Sequence, residues 1–183
     1  MGIIRLYEIC PEAEKAGTQN AVVTGVTDNT AEVKQGSIFV CVKGARFDGH
    51  SAATEMLSKG AVMIVTDHDI KCGKQLVTDN TRLCLARLLN SFYGKPSEKL
   101  GLLAVTGTNG KTTTAHFVKH ILTTLGKKCG CVGTAGNDTC SGELKPSQHG
   151  TPTVPRATVL YSWLGEMVSN GADYCVMEAS SQA

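Results

Sequence analysis

Val105-Thr106-Gly107-Thr108-Asn109-Gly110-Lys111-Thr112-Thr113-Thr114 follows the apolar run Leu102-Leu103-Ala104 and opens a segment with helical periodicity. Strand, glycine-bearing turn, lysine, hydroxyls, helix: that order builds a phosphate-binding loop. Backbone N–H groups at the turn and the positive end of the helix face an anion together. Glycine lets the backbone approach phosphate oxygens without a Cβ in the way. Lys111 can reach terminal phosphates, and a hydroxyl of Thr112 or Thr113 can ligate Mg²⁺. The general pattern G-x-x-x-x-G-K-[ST] is met only in part, because its first glycine falls on Val105. The alternative is an ordinary strand-to-helix turn that happens to carry a lysine. The context on both sides favours the loop. Val118, Ile121, Leu122 and Leu125 recur at i, i+3, i+4 and i+7, which predicts one apolar helix face, with His116, His120 and Lys127 opposite. Gly126 is placed to stop that helix.

Outward from the loop, strands and helices alternate. Val22–Thr27, Ser37–Val42 and Ala61–Thr66 read as strands, the last with the near-continuous apolar pattern of a strand buried on both faces. Residues 51–59 read as a helix. Asn80 is placed to N-cap a helix over 81–93 whose stripe is Leu85, Leu88, Leu89 and Phe92. Gly94-Lys95-Pro96-Ser97 breaks the chain and suggests a domain boundary, giving 1–97 and 98–183. Beyond the loop helix come a short strand at 130–134, a polar stretch over 135–150 read as a loop, and a helix over 159–168. The buried strand Tyr174-Cys175-Val176-Met177 then runs directly into Glu178. The alternation predicts an α/β fold: a small N-terminal α/β domain, then a phosphate-loop domain with a mainly parallel sheet and an unpaired edge. A carboxylate at the end of a parallel strand can hold Mg²⁺ opposite a loop threonine, because ligands gather at strand carboxyl ends. Glu178 fits that role; a surface or capping glutamate is the plain alternative.

Composition bounds the function classes. The chain has 183 residues, 42% hydrophobic and 19% charged, the profile of a globular protein. A net charge of +2 points to neither a nucleic acid nor a membrane surface. No apolar run approaches the ~20 residues of a transmembrane helix. Eight cysteines with no Cys-x-x-Cys pair, half of them inside apolar runs, read as reduced buried thiols of a cytosolic protein. His116 and His120 have ligand spacing, but the glutamate of H-E-x-x-H is missing, so a solvated helix face is the better reading.

The assembled residues resemble the Mur ligase family, and within it the members that add the third residue to the peptidoglycan stem peptide. Thr106-Gly107-Thr108-Asn109-Gly110-Lys111-Thr112-Thr113 is that family's form of the loop. The run Gly36 to Gly44, then Asp48-Gly49-His50 and Gly60-Ala61, resembles the family's uridine-nucleotide-binding domain. Tyr93 to Ser97 is similar to its junction, and Met177-Glu178-Ala179-Ser180-Ser181 to its Met-Glu-Val-Ser-Ser segment. The resemblance implies that Gly107, Thr108, Asn109, Gly110, Lys111, Thr112 and Thr113 bind ATP. It implies that Lys111 and Glu178 are catalytic and that Thr112 and Glu178 surround Mg²⁺. It places Thr27, Asn29, Ala45, Arg46 and Phe47 at the uridine diphosphate. Thr153 and Val154, in Thr153-Val154-Pro155, match the family's Thr-Thr-Pro segment at the muramoyl substrate, with Thr151-Pro152 a rival framing; Ser180 keeps the family serine. The implied reaction is ATP-dependent amide formation on UDP-N-acetylmuramoyl-L-alanyl-D-glutamate through an acyl phosphate, in a cytoplasmic monomer. The family's central domain continues past position 183 and a third domain follows, so the expectation is a fragment without turnover of its own. Other expectations left open are a non-catalytic nucleotide- or UDP-sugar-binding fragment and a different Mur-type ligase.

Overall fold

The computed structural model describes residues 4–9, 20–44, 47–145 and 155–180. The chain divides into two compact units, Met1–Phe92 and Tyr93–Ala183. The first contains β1 (Ile4–Arg5), α1 (Leu6–Ile9), β2 (Val22–Val23), β3 (Gly25–Thr27), β4 (Ser37–Val40), α2 (Ala53–Ser58), β5 (Met63–Thr66), β6 (Gln75–Val77) and α3 (Thr81–Phe92). A 3-10 turn, Gly49–Ala52, leads into α2. The predicted strand over 22–27 is two short ones. β2 pairs with β1, and β3 joins the sheet β3-β4-β5-β6, in which every neighbour is parallel. The break falls at Thr24, whose N–H donates to Gly36 O at 3.0 Å and whose hydroxyl donates to Gln35 O at 2.6 Å.

β4 and β5 are fully buried, as a parallel sheet covered on both faces requires. Side chains alternate across the pleat, so Phe39 and Ile64 join Cys41, Ala53 and Met56 in one cluster beside α2. The other face is covered by α3, which lies over β3, β4 and β5 and buries Leu85, Leu88, Leu89 and Phe92. All four belong to the predicted stripe. Asn80 Oδ1 accepts the Leu83 N–H at 2.9 Å, the expected N-cap. β6 has no counterpart in the sequence reading, because Gln75-Leu76-Val77 is too short and too exposed to show a period.

The second unit contains α4 (Pro96–Lys99), β7 (Gly101–Val105), α5 (Lys111–Thr124), β8 (Cys129–Gly133), β9 (Gly136–Asp138), β10 (Leu144–Lys145), α6 (Ala157–Ser169) and β11 (Tyr174–Glu178). Its sheet runs β10-β9-β8-β11-β7. β8, β11 and β7 are parallel; β9 and β10 fold back antiparallel. The sheet is therefore mixed, with a parallel half that carries the loop, and β7 and β10 stand at its two ends. β9 and β10 occupy the stretch read as a loop. Their apolar alternation is absent, and pairing rather than patterning makes them strands.

α5 and α6 cover opposite faces. Cys175 and Val132 pack with Leu164 and Met167 of α6, while Cys129 and Val176 pack with Ala115 of α5. The predicted α5 face is corrected in part. Val118 and Leu122 pack inward, but Ile121 is 55% and Leu125 70% exposed. Two positions four apart, with Ala115 completing the row, are all that three strands cover. Among the described residues the Phe117, Ile121 and Leu125 row is left to solvent.

Candidate functional site

The loop stands where the sequence placed it, between β7 and α5. Gly107 has φ 147° and Gly110, the residue before the first helical turn, has φ 77°, so both hold backbone conformations that favour glycine. Lys111 folds back over the loop: its ammonium donates to Gly107 O at 2.8 Å and Thr108 O at 3.3 Å. Those carbonyls hold the charge above the turn at the positive end of a 14-residue helix.

Glu178 reaches the same place by the pleat. Side chains 174, 176 and 178 of β11 share one face, and Tyr174 and Val176 pack on the α5 side. Glu178 is the last residue of the strand, at its carboxyl end, where α5 begins. It is buried at 1% exposure. Its Oε2 accepts the Thr112 hydroxyl at 3.0 Å and its Oε1 accepts the Thr134 N–H at 3.0 Å. Thr134 Oγ1 lies 3.1 and 3.2 Å from the two carboxylate oxygens and 2.9 Å from Thr112 Oγ1. Gly133 makes room for it, since a Cβ there would collide with the Glu178 carboxyl group. Ala179 N–H donates to Val105 O at 2.8 Å, tying the end of β11 to the start of the loop.

Thr108 to Thr113, Thr134 and Glu178 line one open cleft of ≈ 320 Å³. Thr134 was missed as a site residue; its one signal is the Gly133-Thr134 pair at a strand's carboxyl end. Beneath the cleft, burial raises the Cys131 thiol, with Lys119 pulling it down and the Glu178 charge pushing it further up.

A buried carboxylate flanked by threonine hydroxyls is an oxygen-only donor set of the kind Mg²⁺ takes. Among the described residues the hydrogen bonds of the Glu178 carboxylate come from hydroxyls and one N–H. The donor set therefore fits that ion, and Thr112 and Glu178 are the residues that could hold it.

The remaining predicted residues belong to the first unit, follow β11 or lie outside the described residues. Thr27 and Asn29 come together at the carboxyl end of β3. Asn29 N–H donates to Thr27 Oγ1 at 3.0 Å, and both side chains donate to Glu32, at 2.7 and 2.9 Å. Glu32, unforeseen in the sequence, occupies the donors expected to face a ligand. Phe47 is half exposed. Ala45, Arg46, Thr153 and Val154 lie outside the described residues. Ser180 is described, and its hydroxyl is buried with no hydrogen bond among the described residues.

A parallel half-sheet, a Gly-Lys-Thr loop at a strand end and a carboxylate on the adjacent strand define a phosphate-loop α/β protein. The Mur ligase family catalytic-domain pattern matches residues 22–104, and the Mur ligase middle-domain pattern matches residues 105–183. Together these account for nearly the whole chain, which belongs to the Mur ligase family. UDP-N-acetylmuramoyl-L-alanyl-D-glutamate--2,6-diaminopimelate ligase 2 of Clostridium acetobutylicum is 37% identical over 171 residues, covering 91% of this chain and 35% of that protein. UDP-N-acetylmuramyl-tripeptide synthetase of Deinococcus radiodurans is 38% identical over 179 residues, 94% of this chain and 36% of that one. The chain thus spans about a third of the length of these relatives. A solved UDP-N-acetylmuramoyl-L-alanyl-D-glutamate--2,6-diaminopimelate ligase superposes with a TM-score of 0.75 at 24% identity, over 99% of this chain and 37% of that one. The Thermotoga maritima MurF ligase, solved in complex with ADP, gives 0.56 at 24% identity, over 86% and 32%. Both structures support the fold. Among the described residues no helix is long and apolar enough to cross a membrane.

Proposed function

We propose that this chain forms the nucleotide-phosphate site of a cytoplasmic ATP-dependent amide ligase. That ligase adds the third amino acid to UDP-N-acetylmuramoyl-L-alanyl-D-glutamate. The observation that carries the reading is the Thr112–Glu178 hydrogen bond of 3.0 Å beside the Lys111 loop. It joins a strand-end carboxylate to the first turn of α5 across 66 residues of sequence.

On this reading the loop N–H groups and Lys111 neutralise the β- and γ-phosphates, and Lys111 leaves the Gly107 and Thr108 carbonyls to do so. Thr112 and Glu178 would hold Mg²⁺, which supplies charge neutralisation at the phosphates. Thr134 keeps the Glu178 carboxylate aimed into the cleft. A substrate carboxylate attacks the γ-phosphorus, ADP leaves, and an acyl phosphate forms. An incoming amine then displaces inorganic phosphate and forms the amide. Nothing in this scheme needs a protein nucleophile. The unit Met1–Phe92 would take the uridine diphosphate near Thr27 and Asn29, with Ala45, Arg46, Phe47, Thr153, Val154 and Ser180 as further substrate contacts.

Calorimetric titration tests both halves. Mg·ATP should bind the wild-type chain, and Lys111→Ala should weaken it at least tenfold without moving the thermal midpoint of the second unit. UDP-muramoyl dipeptide should bind independently of that substitution. Equal Mg·ATP affinity in the two proteins would overturn the phosphate-site reading.

A further inference from the structure

A second cluster of ligating side chains lies in the first unit, at the carboxyl side of β4 and β5. Asp48 and His50 enter the 3-10 turn after β4; Asp67 and His68 follow β5 directly. The His50 side chain is nine-tenths buried at 10% exposure, while Asp48, Asp67 and His68 open to solvent.

The protons here can be followed atom by atom. His50 Nδ1 lies 2.5 Å from Asp48 Oδ1, which also accepts the His50 backbone N–H at 3.1 Å. A carboxylate is acceptor-only at neutral pH, so Asp48 accepts and Nδ1 is the donor. A neutral imidazole that donates from Nδ1 has a lone pair on Nε2. That Nε2 lies 3.2 Å from Asp67 Oδ1, yet it is a buried atom without a hydrogen bond among the described residues. Asp67 Oδ1, which also lies 2.5 Å from His68 Nδ1, is a carboxylate oxygen and likewise an acceptor. Two acceptors therefore face each other. The His50 and His68 rings stack with centroids 4.9 Å apart. One ligating atom from each of His50, Asp67 and His68 falls within 4.8 Å of the others.

A cation between facing lone pairs turns that conflict into coordination. Proteins orient a metal-binding imidazole by giving its other N–H to a carboxylate, and Asp48 does this for His50. Two imidazoles and a carboxylate suit a borderline cation such as Zn²⁺, with solvent completing the shell on the open side. We propose that His50, Asp67 and His68 form a divalent transition-metal site, zinc-class, in the first unit, with Asp48 orienting His50. The site is built from residues of the first unit alone. The competing arrangement is a second proton on His50, which would make the ring an imidazolium donating to Asp67.

Zinc chloride is titrated by calorimetry into the nucleotide-free 183-residue chain, and into His68→Ala and Asp67→Asn, whose changed side chains are exposed. The wild type should take up one more equivalent than either variant, or bind it at least tenfold tighter. Zinc-edge X-ray absorption should show nitrogen and oxygen neighbours and no sulfur. The His50 Nε2 resonance should lie in the unprotonated range and shift as zinc is added. Equal uptake by wild type and variants overturns the proposal, as does a sulfur shell from the cysteines. A protonated Nε2 unmoved at saturating zinc assigns the cluster to the imidazolium instead.

Discussion

Gly133→Ala isolates the packing that aims Glu178. Gly133 is buried at the end of β8, and its φ is not in the left-handed region, so alanine is allowed by the backbone. On backbone grounds alone the change should stabilise by ~0.4–1 kcal/mol, by restricting the unfolded chain. The packing predicts the opposite. The new Cβ would collide with Glu178 Oε1 and stand 2.8 Å from its Cδ and 3.0 Å from its Cγ. Glu178 is 1% exposed and held by Thr112 and Thr134, so moving it aside breaks those bonds. Overpacking of this kind costs ~1–3 kcal/mol. Displacing the carboxylate also weakens its bonds from Thr112 and Thr134, and a hydrogen bond to a charged group is worth ~1.5–3 kcal/mol. With the backbone gain subtracted, the net loss is ~2–4 kcal/mol. The decisive comparison is Gly133→Ala made in a Glu178→Ala background, where all three colliding atoms are gone. There the substitution should be neutral or stabilising by up to ~1 kcal/mol, so the two changes couple by ~2–5 kcal/mol. Urea unfolding followed by indole fluorescence reads the right unit, because Trp163 is the single tryptophan and packs against the α6 core. An equal cost of Gly133→Ala in both backgrounds would refute the steric account.

Lys119 Nζ lies 2.5 Å from Asp138 Oδ2, joining α5 to β9. Burial works to raise the Asp138 carboxyl, but hydrogen bonds from Lys119 and the Cys140 N–H lower it on balance. Its contribution is present above the unfolded value near ~4 and lost as pH falls through the lower folded one. Burial works to lower Lys119, but Asp138 raises it on balance, so that share is lost only as pH climbs past ~10.5. Asp138→Asn should therefore destabilise the second unit at neutral pH by about 1 kcal/mol, read as a lower urea midpoint, and flatten its acid and alkaline limbs. A residual acid limb should persist from Glu166, whose carboxyl Lys145 holds low; an unchanged profile would remove the pair from the account. In the first unit, Asn80→Ala deletes the cap of α3 and should cost about 1 kcal/mol, read as faster hydrogen exchange at the first-turn amides. Exchange unchanged at Leu83 would show that the cap carries no stability.

The loop was legible because its chemistry is contiguous. Gly107 through Thr113 carry their geometry in seven consecutive residues, between an apolar strand and a periodic helix. The α3 stripe was legible for the same reason, since a 3.6-residue period with a capping asparagine is a local signal. β6, β9 and β10 were not legible. Each is two or three residues long and becomes a strand only by pairing with a partner. The outer α5 row was misread because periodicity reports which residues share a helix face, not how many strands lie beneath it.

Sequence alone determined the alternation of strands and helices, the phosphate loop, and the strand that delivers Glu178. It could not determine the company Glu178 keeps. Thr112 and Thr134 lie 66 and 44 residues away, and they meet it because parallel strands end on the same edge and the pleat turns residue 178 toward α5. The same rule gathers His50, Asp67 and His68, which no spacing announced. A parallel sheet delivers the ends of separate segments to one rim, and contacts on that rim exist only once the strands are side by side.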